Sequence, residues 1–103
     1  RWRNPVGITQ NGNSVPNKYN LSQNYPNPFN PSTKIDFDIP ASANVELSLY
    51  DISGKEIQIL FSGYLDAGSY NYTLNGGNLS SGVYFFKLTA NDYSSTKKLV
   101  LTK

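Results

Sequence analysis

Apolar and polar residues alternate along most of the chain, beginning after residue 21. The clearest case precedes Pro40, where Ile35, Phe37 and Ile39 alternate with two aspartates. Side chains along a strand point alternately to opposite faces, so this spacing places the apolar side chains on one face and the carboxylates on the other. Proline cannot donate a further ladder hydrogen bond, and we expect the strand to end there.

The same alternation recurs along three further segments. Residues 51–54 and 66–68 separate them, and both stretches contain the Asp and Gly residues that favour turns. Each segment is therefore predicted to be a strand with one apolar face. The three apolar sets are Val45, Leu47 and Leu49; Ile57, Ile59 and Phe61; and Tyr70, Tyr72 and Leu74.

The last third of the chain contains two more strand patterns. Residues 75–82 hold an Asn-Gly-Gly-Asn turn signal, in a connection longer than a tight hairpin. Residues 83–90 are apolar on both faces apart from Lys87, which predicts a central strand covered on both sides. Residues 91–92 form a turn into a last strand over residues 93–102.

The fold class follows from these patterns. No segment combines a helical period with capping residues. About seven short antiparallel strands at regular spacing predict an all-β, immunoglobulin-like β-sandwich. We expect seven side chains to be almost fully buried and no helix to exceed a single turn. The seven are Ile35, Phe37, Val45, Leu47, Leu49, Phe86 and Leu88.

The first twenty residues differ from the rest. They are rich in Asn, Gly, Ser and Pro and have no sustained apolar period, which is typical of a linker. Trp2, Val6 and Ile8 are unusual in a pure spacer: they are either the end of an upstream domain or a strand that pairs only in the right context. We expect residues 1–20 to link an upstream cargo domain to a domain over residues 21–103, with protease sensitivity around residues 12–16. A chain that starts at Arg1 is expected to be the end of a longer precursor.

Composition excludes several classes of function. A chain of 103 residues is long enough for one domain. It contains no cysteine and no histidine, so it lacks the commonest general base and the commonest metal ligand near neutral pH. The net charge of +2 comes from scattered cations and not from a basic stripe, which argues against nucleic-acid binding. The apolar runs are too short to span a membrane.

Candidate catalytic and metal-binding groups are few. Asp36 and Asp38 share a strand face, but the simpler interpretation is a solvated outer face, because no third ligand is evident. Asp51, Asp66 and Asp92 occupy predicted turns, where a calcium ion is possible but unsupported. No histidine is present to activate the many hydroxyl groups. The sequence predicts no catalytic residue, no metal site and no cofactor.

The aromatic residues allow two interpretations. Eight tyrosines and five phenylalanines could form a platform on which sugar rings stack. They are also residues with high strand propensity that cover the pleated surface of a sandwich. The second interpretation is favoured because most of them fall inside strand patterns. A carbohydrate-binding or spacer module appended to a secreted hydrolase remains the alternative function.

The proline-rich residues 25–31 carry a family resemblance. Three prolines in six residues fix an extended, rigid approach to the first core strand. This stretch resembles the YPNPF opening motif of type A C-terminal sorting domains of the type IX secretion system. The residues that match that motif are Tyr25, Pro26, Asn27, Pro28 and Phe29.

Four later blocks continue the resemblance in order, so that it covers residues 21–103. VELSLYD with SGKE is similar to the family's V-x-L-x-V-Y-D-x-x-G-R-E segment, and AG, SGVYFFKL and KKLVL are similar to its later blocks. Lys55 replaces the family's arginine, and Asn75-Gly76-Gly77 stands where a W-D-G turn is frequent. The immunoglobulin-like cap domain of flagellar hook assembly proteins shares part of the pattern without the terminal placement.

The resemblance implies a non-catalytic secretion signal in a Gram-negative cell. The attached cargo would pass through the periplasm, and outer-membrane translocon proteins would recognise the domain. A sortase-like cysteine protease would then remove it, leaving the cargo on the cell surface or outside the cell. We expect Leu99 and Leu101 to point inward and the last strand to be the centre of recognition. The recognition residues expected there are Lys97, Lys98, Val100, Thr102 and Lys103.

Overall fold

Two four-stranded antiparallel sheets form the protein. The computed structural model describes residues 8–10 and 15–102. The first sheet has the strand order β1-β6-β3-β2 and the second has the order β5-β4-β7-β8. The strands are β1 (Ile8–Gln10), β2 (Asn20–Leu21), β3 (Ser32–Ile39), β4 (Ala43–Asp51), β5 (Glu56–Leu65), β6 (Gly68–Asn75), β7 (Gly82–Ala90) and β8 (Tyr93–Leu101).

The core lies between the facing sides of the two sheets. All seven side chains predicted to be almost fully buried are at most 1% exposed. Leu99 and Leu101 are also buried, as predicted. No helix occurs in the described part of the chain. The prediction of an all-β sandwich is confirmed.

Two tyrosines anchor the starts of two consecutive strands, β6 in the first sheet and β7 in the second. The Tyr70 hydroxyl donates to the Asp66 carbonyl at 2.6 Å, and the Tyr84 hydroxyl donates to the Ser80 carbonyl at 2.6 Å. Each bond returns four residues upstream, the arrangement found at the corners of immunoglobulin-like sandwiches. Tyr70 and Tyr84 are also buried, so both aromatic rings pack into the core while each hydroxyl has a partner.

The prediction of one continuous apolar face on β5 is wrong. Phe61 is buried, but Ile57 and Ile59 are 41% and 48% exposed. Leu47 on β4 lies opposite Phe61, and its neighbour Ser48 lies opposite Ile59, so Leu60 is an extra residue in β5. Such a bulge inverts the side-chain alternation beyond it, which moves Ile59 to the outer face of the second sheet.

The prediction for residues 83–90 is half right. β7 is central, with β4 on one side and β8 on the other. Its inner residues are buried, but Val83, Phe85, Lys87 and Thr89 on the outer face are only half-buried. The expected cover on both sides is absent from the part of the chain that the structure describes, because the first sheet packs on the inner face alone.

The residues before the sandwich contribute backbone pairing and an aromatic contact. β1 pairs with β6, with Ile8 opposite Tyr72, and β2 begins at Asn20. The Tyr19 ring stacks on Tyr93 with 4.9 Å between ring centroids. Trp2, Val6 and residues 12–14 lie outside the described residues, and the domain boundary between residues 20 and 21 stays a prediction.

Candidate recognition surface

The proline segment, residues 25–31, is fastened to β3 by backbone and buried side-chain hydrogen bonds. Tyr25 and Lys34 exchange both backbone N–H···O bonds at 2.9 Å. The buried Asn24 side chain donates to the Pro26 carbonyl and to Thr33 Oγ1, each at 3.1 Å. Thr33 Oγ1 donates to the same carbonyl at 2.9 Å. The start of the segment is therefore held in one position, since every polar group of this small network has a partner.

The opening motif divides into exposed and buried parts. Tyr25 is 81% exposed, and Pro26, Asn27 and Pro28 are exposed as well. Phe29 is 1% exposed. A Cβ on Gly76 would lie 3.0 Å from Phe29 Cε2 and 3.1 Å from Leu101 Cδ2, so the absence of a side chain at Gly76 allows this close packing. Phe29 thus anchors the motif in the core beside the last strand.

Strand β8 receives the proline segment along its free edge. The Phe29 N–H donates to the Val100 carbonyl at 2.9 Å, and the Thr102 N–H donates to the Phe29 carbonyl at 3.0 Å. The Val100 N–H donates to Asn27 Oδ1 at 2.9 Å. Gln23 Nε2 donates to the Lys98 carbonyl at 2.6 Å. We call Gln23, Asn27 and Phe29 the edge clamp, because together they occupy the edge of β8 from Lys98 to Thr102.

The structure brings together the two regions that sequence reasoning had proposed separately. The opening motif and the end of β8 are neighbours through the edge clamp. On the outer face of β8, Lys98 is exposed and Val100 is half-buried, and Thr102, just after the strand, is exposed. Lys97 is half-buried and has the opposite parity, so it does not share that face. Lys103 lies outside the described residues.

Sequence reasoning named the outer face of β8 but missed the parts of the same outer surface that β4 and β7 contribute. A shallow groove of about 260 Å³ there is lined by Tyr50, Gly54, Phe85, Lys87 and Thr96. The prediction that β7 is covered on both sides places Phe85 and Lys87 under a second layer, whereas the structure leaves both half-buried at the surface. The apolar outer positions of β7 were the available signal, since a solvent-facing strand surface is usually polar.

A second groove lies beside the exposed Tyr25. It measures about 360 Å³ and borders the first sheet. Tyr25 and Pro26 form one wall, and Lys34 and Thr73 contribute to the rest. The Tyr25 backbone is paired with Lys34 while its ring is exposed to solvent.

Asp51 stabilises the turn between β4 and β5. Its Oδ1 accepts hydrogen bonds from the Ser53 N–H at 2.9 Å, the Ser53 hydroxyl at 2.6 Å and the Lys55 N–H at 3.1 Å. The hydrogen bond from the Ser53 side chain, followed by that from the Lys55 backbone, lowers the pKa of Asp51 below its usual value. Gly54 in this turn has a φ of 90°, a conformation that suits glycine. The role of Asp51 is structural.

The other acidic and aromatic side chains considered as candidates for metal or sugar binding do not form a site within the described residues. No group of three or more acidic side chains that could hold a metal ion occurs within the described residues. Tyr70 and Tyr84 are core residues, which removes two rings from a possible sugar platform. No helix long and apolar enough to cross a membrane is found in the described ranges.

Comparison with protein families relates most of the chain to a known family. The family model described as "Secretion system C-terminal sorting domain" matches residues 23–102. This range includes the opening motif, the edge clamp and all described residues of β8. A search of curated proteins finds no match to the chain.

Proposed function

Because the chain belongs to the family of secretion system C-terminal sorting domains, we propose that it delivers an attached cargo protein to the translocon of the type IX secretion system. The family implies a sorting signal for this system and export to the cell surface or the extracellular space. The observation that carries the proposal is the match over residues 23–102, which spans every strand from β3 to β8. The domain acts as a ligand for protein partners and performs no chemistry itself.

The proposed route begins in the periplasm. The cargo, covalently joined before the domain, crosses the inner membrane first, and the folded sandwich is then recognised by outer-membrane translocon proteins. A sortase-like cysteine protease subsequently separates the domain from the cargo. A closed two-sheet core supports this role, because a sorting signal that waits in the periplasm must resist proteases without help from disulfides.

Recognition is proposed to centre on the end of β8 and the neighbouring opening motif. Lys98, Val100 and Thr102 offer side chains on the outer face, and Lys103 continues the strand in sequence. Lys97 is a weaker candidate because it is half-buried on the other side. The edge clamp supports a combined surface, since it fixes Tyr25 and its neighbours relative to Lys98.

Export of a periplasmic reporter fused to the full chain tests the function. In a host that has this secretion system, the fusion should reach the medium or the cell surface. A fusion that stays in the periplasm would overturn the proposal. Deleting residues 97–103 should abolish export, but it also removes part of a core strand, so substitutions that separate the two faces of β8 are needed.

The Lys98→Glu variant separates recognition from folding. Lys98 is exposed, so the change should cost well under about 1 kcal/mol of stability. We expect the variant to melt like the parent chain and to remain in the periplasm. Leu99→Ala is the matched folding control, because truncating this buried side chain should cost about 2–5 kcal/mol. Normal export of a well-folded Lys98→Glu, Lys103→Glu double variant would exclude a role for these charges.

A further inference from the structure

The outer face of the second sheet carries an uncovered apolar patch that includes two lysines. In the strand register, Phe85 on β7 lies opposite Tyr50 on β4 and opposite Lys98 on β8. Lys87 follows two residues later on the same face of β7, and Val100 on β8 lies opposite Val83 on β7. We call Tyr50, Phe85, Lys87, Lys98 and Val100 the outer patch. No second layer covers it within the described residues, and its apolar members are half-buried.

The charges of the outer patch have no ion-pair partner among residues 8–10 and 15–102. Neither Lys87 nor Lys98 forms an ion pair with any residue that the structure describes. Glu46 on the outer face of β4 is instead within 3.5 Å of the Ser48 hydroxyl, which donates to its carboxylate. Two unpaired ammonium groups beside an aromatic ring therefore favour a ligand that combines carboxylates with apolar side chains.

The edge clamp determines how a partner can approach this region. A protein that reads a sheet edge adds its own strand through backbone hydrogen bonds. The edge clamp already occupies these backbone groups at the end of β8. Gln23 bonds the Lys98 carbonyl, and Asn27 bonds the Val100 N–H. Phe29 bonds both the Val100 carbonyl and the Thr102 N–H. Strand addition there would have to displace the buried Phe29 from the core. The sheet face remains accessible without any such rearrangement.

Resting on the proposed function, we propose that the outer patch is the docking surface for a component of the outer-membrane translocon. That component binds the sheet face through apolar side chains flanked by carboxylates, and it does not extend the sheet at β8. Phe85 lies at the centre, between Tyr50 and Lys98. The recognition surface thereby extends from the last strand across β7 to β4.

Charge reversal at Lys87 tests the proposal, because Lys87 lies outside the last strand. The full chain carrying Lys87→Glu or Phe85→Thr is fused behind the reporter and compared with the parent fusion. A Lys18→Glu variant is the matched control, with the same charge change at an exposed site away from the patch. Circular dichroism melting of each purified chain shows whether the fold is retained.

We expect the Lys87→Glu and Phe85→Thr fusions to lose export at least about tenfold while Lys18→Glu exports normally, as for residues at the centre of an interface. The purified parent chain should bind the detergent-solubilised translocon complex less tightly as salt rises, and Lys87→Glu should weaken that binding. Melting temperatures should match, which excludes unfolding as the cause.

Three results would overturn this proposal. Normal export of a folded Lys87→Glu fusion would remove the patch from recognition, and equal loss with Lys18→Glu would show that only net charge matters. Patch variants that are exported normally could instead lose binding to a soluble polysaccharide, or lose a dimer that the parent chain forms at high concentration. Either result would assign the outer patch to another ligand. If the unmodified fusion also stays in the periplasm, the proposed function fails before the patch is tested.

Discussion

At the residue scale, Asp51 shows how one carboxylate oxygen organises a turn. Three donors from Ser53 and Lys55 converge on Oδ1, while the Asp51 N–H donates to the Lys55 carbonyl at 2.9 Å. The sequence predicted a turn at residues 51–54, because an aspartate readily bonds the backbone two residues ahead. The sequence alone did not decide whether a turn of this kind binds a calcium ion. Oδ1 accepts three of the protein's own donors, and these hydrogen bonds account for the shape of the turn.

The lowered pKa of Asp51 predicts a specific pH dependence. A carboxylate whose pKa is lower in the folded than in the unfolded chain stabilises the fold above its unfolded pKa, and that contribution is lost as the pH falls through the folded pKa. Asp51→Asn keeps the oxygen acceptor without the charge. We expect the difference in urea midpoint between the parent chain and Asp51→Asn to shrink as the pH falls from about 5 towards 2. An unchanged difference would show that the carboxylate's charge plays no part.

At the element scale, alternation predicted those strands whose pairing is regular. β3 pairs with β6 without interruption over eight residues, and its inward and outward faces follow the sequence. The faces of β5 do not follow its sequence alternation. Its bulge is defined by the pairing with β4, and nothing in the pattern of apolar and polar residues along β5 indicates it. The outer face of β7 was misjudged for a related reason: apolar residues show a preference for burial, but not whether this chain or a partner supplies the cover.

The edge clamp lies beyond what local patterns can reveal. The sequence pointed to the proline segment and to the last strand separately, and the structure shows that the two are joined by hydrogen bonds. Their contact depends on the Asn27 side chain meeting the Val100 N–H across 73 positions of the chain. Periodicity reports which face of an element is apolar, but a polar contact between distant segments depends on the completed fold.

Replacing Asn27 tests whether the clamp holds the edge of β8. Asn27→Ala removes the acceptor of the Val100 N–H, which should cost about 1 kcal/mol and speed the hydrogen exchange of that amide. Asn27→Asp retains an acceptor oxygen and should preserve the slow exchange. Unchanged exchange at Val100 in the alanine variant would mean that β8 is closed without the clamp.

At the scale of the whole molecule, two segments outside the main strands cover parts of the sheet edges. β1 adds to β6 at one side of the first sheet, and the edge clamp covers the end of β8 in the second. Uncovered edges invite pairing with other chains, so these two contacts disfavour edge-to-edge aggregation of the domain. The long edge strand β5 is interrupted by its bulges, which disfavour such pairing in another way.

The position of the domain boundary can be decided by truncation. Tyr19 stacks on Tyr93, and Asn91 Nδ2 donates to the Tyr19 hydroxyl at 3.0 Å, so residues just before 21 contact the turn between β7 and β8. We expect a chain of residues 15–103 to be more stable than one of residues 21–103 by about 1–2 kcal/mol in urea unfolding, mainly through this aromatic contact. Tyr19→Ala in the longer chain should reproduce most of the loss, whereas Lys18→Ala should not. Equal urea midpoints for the two truncated chains would support a linker that ends at residue 20, and the stacked ring would then contribute nothing to the fold.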